Sequence, residues 1–479
     1  MFFNSFDYLV FFPTVFLLYW FVFQRNLNLQ NGFLLLASYY FYASWSVEFT
    51  GLLLLSTIID YSFGFLVASD DRKKAKLFLI LSIINNLGIL AVFKYYNFFA
   101  AQIQTVFDRI GWEIHPVLLN FALPIGISFY TFHGMSYVFD IYRGQQKPTK
   151  NFIDYGVFVS FFPLLVAGPI ERANHLLPQV QQKRSFQYSQ WIDGARLILW
   201  GLFKKVVIAD SLAVIANQVF SDAGNQSSFM LILGAIAFSF QIYGDFSGYS
   251  DIAIGSAKLL GFELLSNFKF PYFSRNIAEF WRRWHVSLSS WFRDYLYIPL
   301  GGSKSGTAKA LRNTFVIFLV SGFWHGASWN FIIWGFIHAC FFLPLLLLRQ
   351  NRKYTSETIA ENRNLPNLKE LAQVLLTFSL VTLAWIFFRQ TDSQLALDYI
   401  KRMVSNAIEY PEQFKTWPKI DAGIFWIIPF VVYDWINRRN ERSVRFPKFI
   451  ILRWTMYVLM IFCIFMFSNR DQAFIYFQF

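Results

Sequence analysis

Charge is scarce in this chain: of 479 residues only 15% are Asp, Glu, Lys or Arg, against about 25% in a soluble globular protein. Cysteine is scarcer still. Cys340 and Cys463 both lie inside apolar stretches, so neither a disulfide framework nor a CxxC site can be assembled. There is no internal repeat and no low-complexity linker. G-x-S-x-G and Walker spacings are missing, as is any histidine pair at i, i+3 or i, i+4, which removes the sequence signals for a serine hydrolase elbow, a P-loop and a helical zinc site. The run Gly301-Gly-Ser-Lys-Ser-Gly306 reads as a turn following Pro299. Period-two alternation is weak and long Leu/Phe/Ile runs dominate, which excludes a lipid-facing β-barrel.

What the chain has in abundance is apolar surface. Hydrophobic residues make up 56% and aromatics 21%, with 60 Phe. They recur in long blocks, and at about 20 helical residues per crossing the blocks predict about 10–12 crossings. The expected fold class is therefore all-α, a polytopic membrane helical bundle. Short blocks are expected to be re-entrant or amphipathic pieces buried in protein. A single membrane domain over 1–479 is expected, with C-terminal helices over 371–479.

The excess of 42 Lys+Arg over 29 Asp+Glu gives a net charge of +13. In a soluble chain that would suggest nucleic acid, but here the cations sit in short loops between apolar blocks, the positive-inside pattern. Arg72, Lys73, Lys74 and Lys76 form one such loop, Arg349, Arg352 and Lys353 a second, and Arg438, Arg439, Arg442, Arg445 and Lys448 a third. All three are assigned to the cytoplasm, with anionic headgroups as neighbours. The start of the chain has no basic n-region, and Tyr8–Phe23 ends at Gln24-Arg25 without a small-residue cleavage site, so it is expected to be a retained helix.

One stretch breaks the apolar pattern. From Asp245 to Arg312, polar, charged and aromatic residues interleave, as in amphipathic helices near headgroup level that line a cavity. Beyond it, His325 lies in Ser321-Gly-Phe-Trp-His-Gly-Ala-Ser-Trp-Asn330, between two apolar runs. A titratable group at that depth is costly unless it faces a bundle interior or a water-filled cavity. It is either a functional group or a buried imidazole joining helices, and spacing alone leaves both open. His285 stands between Trp284 and a serine-rich segment, as a proton shuttle, a positioning group or an interfacial anchor. His338 is expected to pack, His133 is a further candidate at membrane depth, and His115 and His175 are expected in loops. With metal and covalent serine chemistry unsupported, histidine acid/base chemistry remains. An imidazole can take the proton of a hydroxyl attacking an activated acyl group and return it to the leaving thiolate.

Several motifs resemble the membrane-bound O-acyltransferase family, in particular its alginate O-acetyltransferase membrane-subunit branch. They are Tyr243-Gly-Asp-Phe-Ser-Gly-Tyr-Ser-Asp251, Asn267-Phe-Lys-Phe-Pro-Tyr272, Phe280-Trp-Arg-Arg-Trp-His285-Val-Ser-Leu-Ser-Ser-Trp291 and Phe323-Trp-His325-Gly. Leu123-Pro-Ile-Gly-Ile-Ser-Phe-Tyr-Thr-Phe132, Phe162-Pro-Leu-Leu-Val-Ala-Gly-Pro-Ile-Glu-Arg172, Trp385-Ile-Phe-Phe-Arg389 and the terminal Phe474-Ile-Tyr-Phe-Gln-Phe479 add to it. The resemblance covers nearly the whole chain in order, with core motifs over about 120–345. It implies a bundle around a central tunnel in the inner membrane of a bacterium, with the segment of about 245–312 shaping a cytoplasmic funnel. It maps the essential histidine onto His325 and the second polar position onto His285, with Trp324, Arg282, Asp245 and Asp251 as supports. It implies acetyl-CoA as acyl donor and no permanently bound cofactor or metal. A separate extracytoplasmic SGNH-type partner would complete O-acetylation of a surface polysaccharide such as alginate, cellulose or peptidoglycan. D-alanyl transfer to teichoic acid, a transporter or channel using membrane-depth groups such as Asp60 and Asp140, and an anchoring scaffold are the competing readings.

Overall fold

The computed structural model describes residues 1–120, 122–304, 306–355, 357–409, 421–440, 444–470 and 472–475. Arg442 and the last four residues of the terminal motif lie outside them. Among the described residues the secondary structure is helical throughout. Among the described residues six helices are long and apolar enough to cross a membrane: Val47–Val67, Arg72–Arg109, Ser228–Leu259, Trp329–Leu347, Leu368–Arg389 and Ile450–Arg470. Three shorter apolar helices, Phe6–Val22, Phe152–Leu165 and Ala422–Asn437, join them. The chain forms two compact units, Met1–Gly194 with Ser256–Leu265, and Ala195–Gly255 with Ser266–Phe479.

In the first unit, side-chain caps set the helix starts. Asn26, Ser46 and Asp71 each accept backbone N–H groups that the first helical turn leaves unpaired. The deeply buried helix Ile127–Tyr142 packs against Val47–Val67 and Arg72–Leu90. Gly134 lets that packing happen, since a Cβ there would overlap the Asp60 carboxylate. Asp60 is itself held by Asn86 at 2.7 Å. His133 is fully buried and accepts the backbone N–H of Glu171 at 3.1 Å. His175, expected in a loop, lies in the helix Ala173–Gln181 and pairs through Nδ1 with Glu171 at 2.7 Å. Glu171 also takes the N–H of Leu265 at 2.6 Å, so these histidines and this carboxylate lock backbone segments together.

In the second unit, Thr307–His325 and Trp329–Leu347 form a helical hairpin through Gly326-Ala-Ser328. The two helices approach to backbone contact because Gly322 and Gly335 face across the seam. A Cβ on either would overlap the carbonyl oxygen of Phe331 or Phe318. Ser328 caps the second helix by accepting the N–H of Asn330 at 3.3 Å.

Two differences from the expected layout have a common cause. The apolar block Ala195–Phe220 reads as one helix but is divided into Tyr188–Leu202, a π-helical segment Phe203–Ala209 and Asp210–Ser221. The apolar block Phe229–Tyr243 likewise reads as a complete helix, but the helix runs from Ser228 to Leu259, so Asp245 and Asp251 lie on a buried helix rather than on an interfacial segment. The widened π turn carries Lys204 and Lys205 inward to meet those carboxylates.

Candidate active site

His325 is the last residue of Thr307–His325, at the point where Gly326 turns the backbone extended. Its imidazole is 4% exposed and sits in an aromatic cage. The ring centroids of Trp324, Trp334 and Phe388 lie 4.9, 5.1 and 5.3 Å away, each nearly perpendicular to it. His285 is 1% exposed and occupies the N-cap position of Val286–Phe292 at φ 42°, a left-handed conformation that costs a non-glycine residue roughly 1 kcal/mol or more. It is held there from two sides. Val286 N–H donates to the Asn267 carbonyl at 2.8 Å, and His285 Nδ1 meets Asn267 Oδ1 at 2.9 Å. That oxygen also accepts the Ser287 hydroxyl at 2.9 Å. In the bond to the same acceptor Nδ1 is therefore the donor, and the lone pair of the neutral ring is on Nε2. Burial holds the His285 pKa below the ordinary histidine value.

Trp324 connects the two histidines, with centroids 6.0 Å from His285 and 4.9 Å from His325. The structure thus gathers three of the sequence-predicted residues, His285, Trp324 and His325, around one indole. His338 is on the far side of Trp334, at 4.9 Å, and accepts Trp281 Nε1–H at 3.3 Å. It packs within the aromatic core, as expected.

Asp245 and Asp251 belong to a different construction. Lys205 Nζ is 2.7 Å from Asp210 and 3.0 Å from Asp245, and Lys204 Nζ is 2.7 Å from Asp251 and 2.8 Å from the Ser247 hydroxyl. Lys205 also donates to the Gln472 carbonyl at 2.8 Å, while Asp245 accepts the Ile475 N–H at 2.7 Å. The ion cluster therefore clamps the segment 472–475. It seats Phe474 on Tyr249 at 4.3 Å and near Phe246, whose ring in turn stands 4.7 Å from His285. Lys204, Lys205 and Asp210 escaped the sequence reading, and Asn267 entered it only as the first residue of a motif, without a role. Two adjacent lysines inside an apolar block are the signal that could have found the first pair.

Arg282 is bound to the carbonyls of Asn351 and Lys353 at 2.9 and 2.8 Å, so its guanidinium holds the 351–354 segment. It lines a cavity of about 500 Å³ that Lys269, Arg283, Arg293 and Arg352 also border. Trp281, Phe318 and Ser321 also line it, the last one helical turn before His325. Among the described residues no group of three or more His, Cys, Asp or Glu side chains is placed to hold a metal ion.

The described helices thus form a multi-pass bundle in which two buried histidines flank one indole and a cation-rimmed cavity lies one helical turn from His325. The chain belongs to the membrane-bound O-acyltransferase family, whose model matches residues 34–387, and it is an O-acyltransferase of a bacterial membrane. It is similar to the probable alginate O-acetylase AlgI of Pseudomonas syringae pv. tomato, 41% identical over 399 residues, 83% of this chain and 74% of the relative. It is also similar to the peptidoglycan O-acetyltransferase of Helicobacter pylori, 36% identical over 423 residues, 82% of this chain and 78% of the relative. The teichoic acid D-alanyltransferase of Bacillus subtilis is 29% identical over 240 residues, 46% of this chain and 58% of the relative.

Proposed function

We propose that this protein moves an acetyl group from cytoplasmic acetyl-CoA to a hydroxyl acceptor, for O-acetylation of a cell-surface polysaccharide, with His325 as general base. The observation that carries the reading is the placement of His325 one turn from Ser321 in the wall of the basic cavity. Lys269, Arg293 and Arg352 give that cavity cationic groups suited to the phosphates of a CoA-type donor, and Trp281 and Phe318 give it an apolar wall for the donor's arm. The imidazole takes the acceptor hydroxyl's proton as its oxygen attacks the thioester carbonyl. The tetrahedral intermediate collapses with cleavage of the C–S bond, and the imidazolium returns the proton to the departing thiolate. The aromatic cage keeps bulk water from the thioester. His285, fixed by Asn267, orients Trp324 and the reacting groups.

The names of the two more similar relatives favour polysaccharide acetylation over D-alanyl transfer, whose relative matches less of the chain at lower identity. We infer further that an SGNH-type extracytoplasmic partner receives the acetyl group. Proteoliposomes loaded with partner and glycan and supplied outside with radiolabelled acetyl-CoA test the reading. Label should reach partner or glycan in vesicles that contain the protein and stay on the donor in vesicles that lack it. Acceptor flux without any acyl donor would instead establish a transporter.

A further inference from the structure

The second unit contains another cavity, of about 600 Å³, within the roughly 300–1,000 Å³ range of ligand sites and with almost no polar lining. It lies between the first half of Leu368–Arg389 and the second half of Ile427–Asn437. Val374, Leu375 and Val432 form its sides, and Phe240, Phe430 and the ring of Tyr243 close its inner end. There the one buried carboxylate, Asp434, is already occupied by the Tyr243 hydroxyl at 2.7 Å, so the slot offers an entering group no free charge to solvate. Its rim has the opposite character. Leu365 and Pro366 on one side adjoin Arg363, and Trp435 and Ile436 on the other adjoin Arg438 and Arg439.

The rim is also built rather than merely charged. Arg438 lies over the Trp435 ring at 4.0 Å and donates to the carbonyls of Ile359, Ala360 and Arg363. Arg439 donates to the Ala360 and Arg363 carbonyls, and Trp435 Nε1–H to the Asn364 carbonyl at 2.9 Å. These bonds pin the 359–364 segment, which carries Arg363, to the helix end and fix the guanidinium groups of Arg438 and Arg439 on it. Of the three arginines, Arg363 has a carboxylate partner, Glu370 at 2.9 Å, while Arg363 and Arg439 are both exposed at the surface. An apolar slot beside a cationic rim matches an amphiphile with an apolar tail and an anionic head.

We propose that this slot is a binding site for an anionic phospholipid, one acyl chain lying between Val374 and Val432 and the headgroup phosphate at Arg363 and Arg439. The phosphate gains charge-assisted hydrogen bonds there that a zwitterionic headgroup makes less well, because its own cation is repelled. The lipid fills space behind the Tyr243 ring, which stands 6.1 Å from Trp284 beside His285, and so supports the wall of the candidate active site from the membrane side.

Native mass spectrometry tests this on full-length protein extracted in mild detergent, stripped of lipid and re-exposed to phosphatidylglycerol or phosphatidylcholine. Wild type is expected to retain one phosphatidylglycerol under activation that removes phosphatidylcholine. Val374→Trp, which fills the slot, and Arg363→Glu combined with Arg439→Glu should each lower that retention at least fivefold, whereas Lys401→Glu, a charge reversal on the exposed face of Ser393–Glu409, should not. Equal retention of both lipids by wild type would overturn the proposal even if no variant folded. So would undiminished phosphatidylglycerol binding by Val374→Trp.

Discussion

A histidine at φ 42° is an unusual choice for the start of a helix, and the surroundings of His285 show what maintains it. Asn267 binds its ring through the side chain and the next residue, Val286, through the backbone carbonyl, and Phe246 and Trp324 press against the ring. Removing the Asn267 amide should therefore act through His285. Asn267→Ala leaves a buried imidazole N–H and the Ser287 hydroxyl without their shared acceptor, a loss of roughly 1–3 kcal/mol. The expected outcome is a lower melting temperature together with weaker transfer, measured on detergent-solubilised protein. A His285→Asn variant suits the left-handed backbone better than alanine does, so it should keep more of the fold while still losing the ring's contact with Trp324. If His285 is a positioning residue, this variant raises the apparent KM for the acyl donor more than it lowers kcat; a fall in kcat alone would assign it to the chemical step.

Among the elements, the hairpin Thr307–His325 and Trp329–Leu347 sets where the imidazole sits. Its seam has no room for a methyl group at Gly322 or Gly335. Gly322→Ala forces the helices apart, at a cost of about 1–3 kcal/mol for overpacking, and moves His325 relative to Trp334 and Phe388. Thermal unfolding should shift down and activity should fall by more than the loss of folded protein explains. Much of this element was legible in the sequence. Both apolar runs were visible, and the run Ser321-Gly-Phe-Trp-His-Gly-Ala-Ser328 contains the small residues that the close approach requires. The π segment Phe203–Ala209 was not legible, because its register depends on where Asp210, Asp245 and Asp251 lie in three dimensions. For the same reason Asp245 looked like the start of a surface segment: a carboxylate reads as exposed until its buried partner, Lys205, is known. Tertiary pairing overrode the local signal there.

At the scale of the molecule, the ion cluster ties together parts of the second unit far apart in sequence. Lys205 holds Asp210, Asp245 and the Gln472 carbonyl, and Asp245 holds Ile475. Lys205→Met removes the cation and leaves two buried carboxylates facing each other, a loss of about 3–5 kcal/mol. Phe474→Ala empties the place against Tyr249, for about 3–5 kcal/mol on general grounds. Because both changes release the same segment, the double variant should lose less than the sum, which a double-mutant cycle by chemical denaturation measures. The family match over residues 34–387 contains Lys204, Lys205, Asp245, His285 and His325 but ends before this clamped segment.

The central claim is that His325 performs the proton transfer. Single-turnover acetyl transfer from radiolabelled acetyl-CoA, followed in proteoliposomes holding His325→Ala at matched amounts of folded protein, addresses it most directly. Donor binding should be unchanged and the rate lowered by roughly 10²–10⁴-fold, the usual contribution of a general acid–base group. Transfer at the wild-type rate by a correctly inserted His325→Ala protein would contradict it.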